Sequence, residues 1–173
     1  MKIIAFVLIL SFSAFGSSSL LRGVSATGKS IEINLKEKTS VLVFINKDCP
    51  CVKAHQLYFK GLEQKFGVKI WFIHSNKRYS REIVLNHYSG KLDPEQIIVD
   101  KDLNIANYFE AMKTPHTVVL SNNGEVVYQG GVTNSRNPKN ASKFYLNDVL
   151  RDLQSNVEVS WKRGKAIGCF IQR

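Results

Sequence analysis

Two cysteines, Cys49 and Cys51, flank Pro50 at the point where an apolar run meets a helical pattern. Residues 41–45 are apolar and mostly β-branched, which predicts a fully buried strand. Pro50 suits the first position of a helix, because its missing N–H needs no partner there. Cys49 would then cap the helix, whose free N–H groups and dipole favour a thiolate, the reactive form of cysteine. The pattern therefore predicts a nucleophilic sulfur at Cys49, ionised and open to solvent.

Cys51 has two interpretations. It lies two residues after Cys49, which corresponds to about 200° around a helix. A Cys49–Cys51 disulfide therefore requires Cys49 to lie outside helical geometry, and a strained bond of this kind is easily reduced. The alternative is that Cys51 is a small residue facing the core.

Three further segments carry a resemblance to a known fold. They are Lys113-Thr-Pro-His-Thr-Val-Val-Leu120, Asn123-Gly-Glu-Val-Val-Tyr-Gln-Gly130 and Gly168-Cys-Phe-Ile171. With the strand, the Cys-Pro pair and the helix, they resemble the thioredoxin-like superfamily, and more closely its redoxin (AhpC/TSA-type) branch. The resemblance covers the chain from about Ser30 to the C-terminus. It implies an α/β fold with a central mixed sheet flanked by helices and a redoxin-type insertion.

The resemblance also implies roles for individual residues. Thr114 and Pro115 match the cis-proline shelf that faces the active cysteine, where the residue before proline offers its backbone to an extended substrate as a short added strand. The Gly-Cys-x-Ile tail resembles a C-terminal element of some redoxins, and a tail that folds back would present Cys169 to Cys49. Three cysteines allow three pairings, and the sequence does not choose among them. We rank Cys49–Cys169 slightly above Cys49–Cys51.

The favoured function is that of an exported thiol–disulfide oxidoreductase. Cys49 attacks a substrate disulfide to form a mixed disulfide, and Cys51 or Cys169 then releases it. The expected partners are protein thiols or disulfides and an unidentified electron donor, and no organic cofactor is implied. A further alternative is a non-catalytic partner protein in which a Cys49–Cys169 bond is only a structural staple.

A peroxidase ranks lower. Typical peroxiredoxins carry Pro and Thr ahead of the nucleophile, and the corresponding positions here are Leu42 and Asn46. The hydroxyl that would polarise a peroxide is therefore missing.

A soft-metal site is the alternative from another class of function. Cys49, Cys51, His55 and His116 offer two thiolates and two imidazoles, which suit Cu(I) or Zn(II). The spacing matches no closed zinc pattern, and a solvated surface position is the favoured interpretation for His55.

The chain is expected to contain one folded domain after an export signal. Residues 1–16 have a positive start, an apolar core and small residues at the end, which predicts a signal peptide too short to span a membrane stably. Residues 17–30 are expected to form a linker or a loose first strand, residues 31–160 the thioredoxin-like domain, and residues 161–173 a tail carrying Cys169. The expected location is periplasmic or secreted, which permits disulfides. The net charge of +10 is spread along the chain without a nucleic-acid motif, so no nucleic-acid partner is expected.

Hydrophobic periodicity predicts the remaining elements. The helix after the cysteine pair should end near Phe66, with Gly67 as its C-terminal cap. The other predicted elements are an edge strand at 31–35, a strand at 68–74, a helix at 80–88, a short strand at 97–99, a helix at 100–109, a hairpin of 117–120 with 125–129, and a closing helix at 142–153.

Overall fold

The structure is a computed structural model that describes residues 20–173. The predicted signal peptide lies outside the described residues. In chain order the elements are β1 (Leu20–Val24), β2 (Ser30–Asn34), β3 (Ser40–Ile45), α1 (Pro50–Phe66), β4 (Ile70–His74), α2 (Arg81–Tyr88), β5 (Ile97–Val99), α3 (Asn104–Tyr108), β6 (Lys113–Thr114), β7 (His116–Leu120), β8 (Val126–Gly130), α4 (Tyr145–Gln154) and β9 (Cys169–Phe170), with 3-10 turns at Pro94–Gln96 and Pro138–Asn140.

A five-stranded mixed sheet forms the centre of the fold. Its strand order is β5-β4-β3-β7-β8. The β3–β4 and β4–β5 pairs are parallel, whereas the β3–β7 and β7–β8 pairs are antiparallel. The helical crossover from β3 to β4 through α1 is the connection that a parallel pair requires. This is the α/β architecture that the sequence predicts.

Strand β3 is buried on both faces and divides the core into two apolar clusters. Val43 faces a cluster that contains Phe59 of α1 and Leu146 of α4. Phe44 faces the other cluster, which contains Ile33 and Phe109. Because side chains alternate along a strand, an uninterrupted apolar run serves both clusters at once.

Helix α1 begins and ends where the sequence predicts. Cys49 is its N-cap, with extended backbone angles of φ −84° and ψ 111°, and Pro50 is its first residue. At the other end Gly67 has φ 63° and donates its N–H to the Glu63 carbonyl at 2.9 Å. This left-handed conformation is one that glycine adopts without a Cβ penalty.

The segment predicted as a linker or a loose first strand contains strand β1. Strand β1 pairs antiparallel with β2 in a separate two-stranded sheet. The predicted edge strand at 31–35 therefore belongs to this hairpin and not to the central sheet. Leu21 and Ile33 place the hairpin's apolar face in the Phe44 cluster.

Two helices are shorter than predicted, and at or just before the start of each one a side chain from outside the helix binds backbone N–H groups. The Asp100 carboxylate accepts the backbone N–H groups of Ile105 and Ala106 at 3.1 and 3.0 Å, and α3 starts only at Asn104. The Asn134 side chain accepts the N–H groups of Ser142 and Lys143 at 3.0 Å each, and α4 starts only at Tyr145.

The C-terminal tail packs along the domain. Its first part runs beside β8, where Gln129 and Arg163 form a parallel bridge. Its last part forms β9, which pairs antiparallel with β6. Within residues 20–173, no helix combines the length and apolar character that crossing a membrane requires.

Candidate redox site

Cys49 lies where the buried strand passes into α1, against the loop before β7. Its Sγ donates to the Thr114 carbonyl oxygen at 3.0 Å, and the Thr114–Pro115 peptide bond is cis. The structure thus brings together the predicted nucleophile and the predicted shelf. It also corrects one expectation, since Cys49 is only 1% exposed and is not open to solvent.

Burial and hydrogen bonds act on the Cys49 thiol in opposite directions. Burial by itself raises its pKa, because a buried thiolate loses its hydration. Hydrogen bonds from the Thr114 side chain and from the Cys169 and Val52 backbones outweigh burial, and the pKa of Cys49 falls below its ordinary value. The Val52 N–H belongs to the first turn of α1 and acts in favour of the thiolate, although the Cys49 side chain makes no hydrogen bond that caps the helix.

Thr114 offers the sulfur a different group in each protonation state. The protonated thiol donates to its carbonyl oxygen. The Thr114 hydroxyl is buried and has no hydrogen-bond partner among the described residues. It is therefore available to donate to the thiolate, which lowers the pKa of Cys49.

Cys51 is buried in the first turn of α1, beside Cys49. Burial raises the pKa of its thiol, and the charge of the neighbouring Cys49 raises it further. The extended backbone of Cys49 meets the geometric condition for a Cys49–Cys51 disulfide. In the structure all three cysteines are free thiols.

Cys169 reaches the same site from the tail. Its Cα is paired with that of Thr114 across the β6–β9 ladder. Burial raises the pKa of its thiol to about 11, and a hydrogen bond to Cys49 and the charge of Cys49 act in the same direction. Cys169 is therefore the protonated partner of a more acidic Cys49.

Arg136 is a charged residue of the site that the sequence does not reveal. It is exposed in the loop between β8 and α4. Its positive charge lowers the pKa of both Cys51 and Cys169, although burial outweighs it at each thiol. No motif marks this arginine, because it approaches the thiols only through the path of the loop.

The proposed metal ligands are not assembled. His55 is only 1% exposed, which corrects the expected surface position; its Nδ1 donates to the Cys51 carbonyl at 2.8 Å and its Nε2 lies 3.3 Å from Thr133 Oγ1. Burial lowers the pKa of His55 and favours the neutral ring. His116 packs against Phe44 in the other half of the core, with ring centroids 5.9 Å apart. In the described part of the chain, no group of three or more Cys, His, Asp or Glu residues is arranged to hold a metal ion.

Leu42 and Asn46 have structural roles. Leu42 is fully buried in β3, within the Phe44 cluster. The Asn46 carbonyl accepts the Cys49 N–H at 3.0 Å, and its side chain accepts the Asp48 N–H at 3.1 Å. Asn46 thus shapes the turn that carries Cys49, and neither residue supplies a hydroxyl for a peroxide.

Solved structures of similar fold include redox proteins. A protein of unknown function from Geobacillus kaustophilus aligns over 89% of this chain and 88% of its own, with a TM-score of 0.77 and 23% identity. A putative thiol-disulfide oxidoreductase from Bacteroides vulgatus aligns over 84% and 93%, with a TM-score of 0.59 and 18% identity. A secreted disulfide oxidoreductase from Mycobacterium tuberculosis, described as homologous to E. coli DsbE, aligns over 61% and 79%, with a TM-score of 0.52 and 17% identity. These similarities establish the thioredoxin-like fold.

Comparison of the sequence with known protein families identifies the family of this chain. No curated protein matches the chain significantly. A family model described as "Domain of unknown function (DUF6436)" matches residues 23–172, which include β2 to β9 and all three cysteines. The chain therefore belongs to the DUF6436 family, and its fold is thioredoxin-like.

Proposed function

We propose that this protein is an exported thiol–disulfide oxidoreductase that acts through the Cys49 thiolate. The observation that carries the proposal is the position of Cys49 Sγ. Cys49 is the N-cap residue of α1, its Sγ lies 3.0 Å from the Thr114 carbonyl beside the cis-proline, and Cys169 is paired with Thr114 across the β6–β9 ladder. The structural relatives described as disulfide oxidoreductases support the same class of reaction.

The first step is attack on a substrate disulfide. The Cys49 thiolate attacks one sulfur, the substrate S–S bond breaks, and a mixed disulfide forms between Cys49 and the substrate. The other substrate sulfur leaves as a thiolate and takes a proton from solvent. The lowered pKa of Cys49 increases the fraction of thiolate that is available for this attack.

The second step releases the substrate. A second thiolate of the chain attacks the Cys49 sulfur, forms an internal disulfide and frees the substrate thiol. Cys169 suits this role because its pKa is raised partly by the charge of Cys49, and that charge disappears in the mixed disulfide. Formation of the mixed disulfide thus makes Cys169 more acidic when its attack is needed. Cys51 remains the alternative.

The cycle needs an electron donor outside the chain. An external dithiol reduces the internal disulfide and is itself oxidised, so two electrons pass from donor to substrate. We propose a periplasmic or secreted location for this exchange. The signal-like pattern of residues 1–16 supports it, as does the similarity to the Mycobacterium tuberculosis oxidoreductase, which is described as secreted.

Reduction of insulin disulfides by dithiothreitol tests the proposal. We expect the full-length protein to accelerate this reaction, and Cys49→Ser to lose the acceleration because no other thiol of the site has a lowered pKa. Mass spectrometry after stoichiometric oxidation should then show which thiol pairs with Cys49. A Cys49→Ser variant that retains the native rate would overturn the assignment.

A further inference from the structure

The tail is attached to the domain before it reaches the site. Ser160 donates both its N–H and its hydroxyl to the Asp152 carboxylate of α4, at 2.7 and 2.5 Å. The tail then follows the edge of β8, where Gln129 donates to the Lys162 carbonyl and Gly164 donates back to the Gln129 carbonyl, each at 3.2 Å. This path covers the outer edge of the central sheet at β8 and directs residues 168–171 towards Thr114.

At the shelf, the tail has the geometry expected of an added substrate strand. Strand β9 pairs antiparallel with β6, and Ile171 donates to the Met112 carbonyl at 2.9 Å. Gly168 lies so close to Thr114 that a Cβ at this position would overlap the Thr114 carbonyl oxygen. The backbone that resembles a substrate shelf is therefore already occupied by the chain's own residues.

The side chains of the segment are also placed as those of a bound peptide. Cys169 meets Cys49, Phe170 is 64% exposed with its ring 4.7 Å from Lys113 Nζ, and Ile171 is buried in the apolar cluster that contains Phe109. Beyond it, Arg173 donates to the Ala111 carbonyl at 3.0 Å. A small residue, a cysteine, an exposed aromatic residue and a buried aliphatic residue thus follow one another along the shelf.

We propose that residues 168–171 are a built-in occupant of the peptide-binding shelf, which protein substrates must displace and which returns to the shelf when Cys169 attacks the mixed disulfide. This inference rests on the proposed function and adds a substrate class to it. The substrate is an extended segment that carries a half-cystine, with a small residue before it and an aliphatic residue two positions after it. In the closed form the tail shields Cys49, which is 1% exposed, and keeps Cys169 beside it.

Replacement of Gly168 tests the occupancy without any redox reaction. Gly168→Ala forces the tail away from Thr114, whereas Gly61→Ala on α1 is a matched control, because a Cβ there meets no atom within 4 Å. With all thiols reduced, and at an alkaline pH where Cys49 is ionised with or without the Cys169 contacts, we expect Gly168→Ala to increase the rate of Cys49 alkylation by iodoacetamide about tenfold, because the sulfur becomes accessible. Amide exchange of Ile171 should also accelerate, and Gly61→Ala should match the wild type in both measurements.

A peptide supplied in trans tests the substrate class. The probe is a synthetic peptide with the sequence of residues 166–171, in which serine replaces the cysteine so that no covalent bond forms. We expect fluorescence anisotropy to show at least about tenfold tighter binding to Gly168→Ala than to the wild type, because the resident strand no longer competes. A peptide that also carries alanine in place of its glycine should bind weakly to both proteins.

The outcomes separate this inference from the proposed function. Unchanged alkylation, amide exchange and peptide binding in a folded Gly168→Ala variant would overturn the occupancy, whatever the insulin-reduction rate. Faster alkylation of Cys49 and tight peptide binding in Gly168→Ala would support occupancy of the shelf by the tail, even if the protein failed to reduce insulin. If Gly168→Ala does not fold, Ile171→Ala removes the buried anchor instead, and the same results are expected of it.

Discussion

The three thiols of the site differ in acidity because they share contacts. Cys49 accepts hydrogen bonds from the Cys169 backbone and side chain, which lower the pKa of Cys49 against the effect of its burial. The same contact raises the pKa of Cys169 in addition to burial. A hydrogen bond between two thiols thus assigns one as nucleophile and the other as its protonated partner.

The Thr114 hydroxyl can be tested separately from the Thr114 backbone. Thr114→Val keeps the shape and the carbonyl but removes the donor, so we expect the pKa of Cys49 to rise. The alkylation rate falls as pH decreases through this pKa, so its midpoint should move to higher pH and the rate at neutral pH should decrease. Alkylation of Cys49 followed by mass spectrometry across a pH series measures both.

Thr117→Val is a matched control for this substitution. Thr117 is also fully buried, and its hydroxyl likewise lacks a partner among the described residues, but it is not among the groups that shift the pKa of Cys49. We expect the pH midpoint of Cys49 alkylation in Thr117→Val to equal that of the wild type. Equal midpoints for Thr114→Val and the wild type would exclude the hydroxyl as a donor to the thiolate.

At the scale of the element, the helix that carries the site is defined by its two ends. Its N-terminus presents the Val52 N–H to the Cys49 sulfur, and its C-terminus closes on Gly67 in the left-handed conformation. The intervening residues pack Phe59 and Leu62 into the core. Stability of the helix and acidity of the thiol therefore depend on different residues.

Two glycines of this helix should respond to alanine in opposite directions. Gly67→Ala places a Cβ at φ 63° and should reduce the free energy of unfolding by about 1–2 kcal/mol. Gly61→Ala lies within the helix and should increase it by roughly 0.5–1 kcal/mol. Urea unfolding measures both changes, and insulin reduction should stay at the wild-type rate in each variant. Destabilisation by both substitutions would contradict this account of the helix.

Local patterns were sufficient for the strand, the turn and the helix that hold Cys49. They were insufficient where a side chain outside a helix binds backbone N–H groups at or just before the helix start, as Asp100 and Asn134 do at α3 and α4. They also missed Arg136 and the burial of His55, because both depend on how the loop after β8 packs against α1. The approach of Cys169 to Cys49 was predicted only from the family resemblance. Its pairing with Thr114 depends on the complete path of the tail.

At the scale of the whole molecule, the tail runs from the end of α4 to the redox site. Asp152 holds its start, the β8 edge guides its middle, and Ile171 anchors its end in the core. A Cys49–Cys169 disulfide would close a loop through most of the fold and stabilise the oxidised protein. The low pKa of Cys49 acts in the opposite sense, because it stabilises the reduced form. The balance between these two effects determines whether the protein favours donating or accepting electrons.

The stability of the oxidised form therefore identifies the disulfide. In the chain-entropy model, a Cys49–Cys169 bond should add roughly 5 kcal/mol to the free energy of unfolding, whereas a Cys49–Cys51 bond should add only about 1–2 kcal/mol because its loop is short. Urea unfolding of the oxidised and dithiothreitol-reduced protein measures the difference. We expect Cys51→Ser to retain the large difference and Cys169→Ser to lose it. A difference of only about 1–2 kcal/mol that is lost in Cys51→Ser and kept in Cys169→Ser would assign the redox pair to Cys49 and Cys51, and the tail would then act only as an occupant of the shelf.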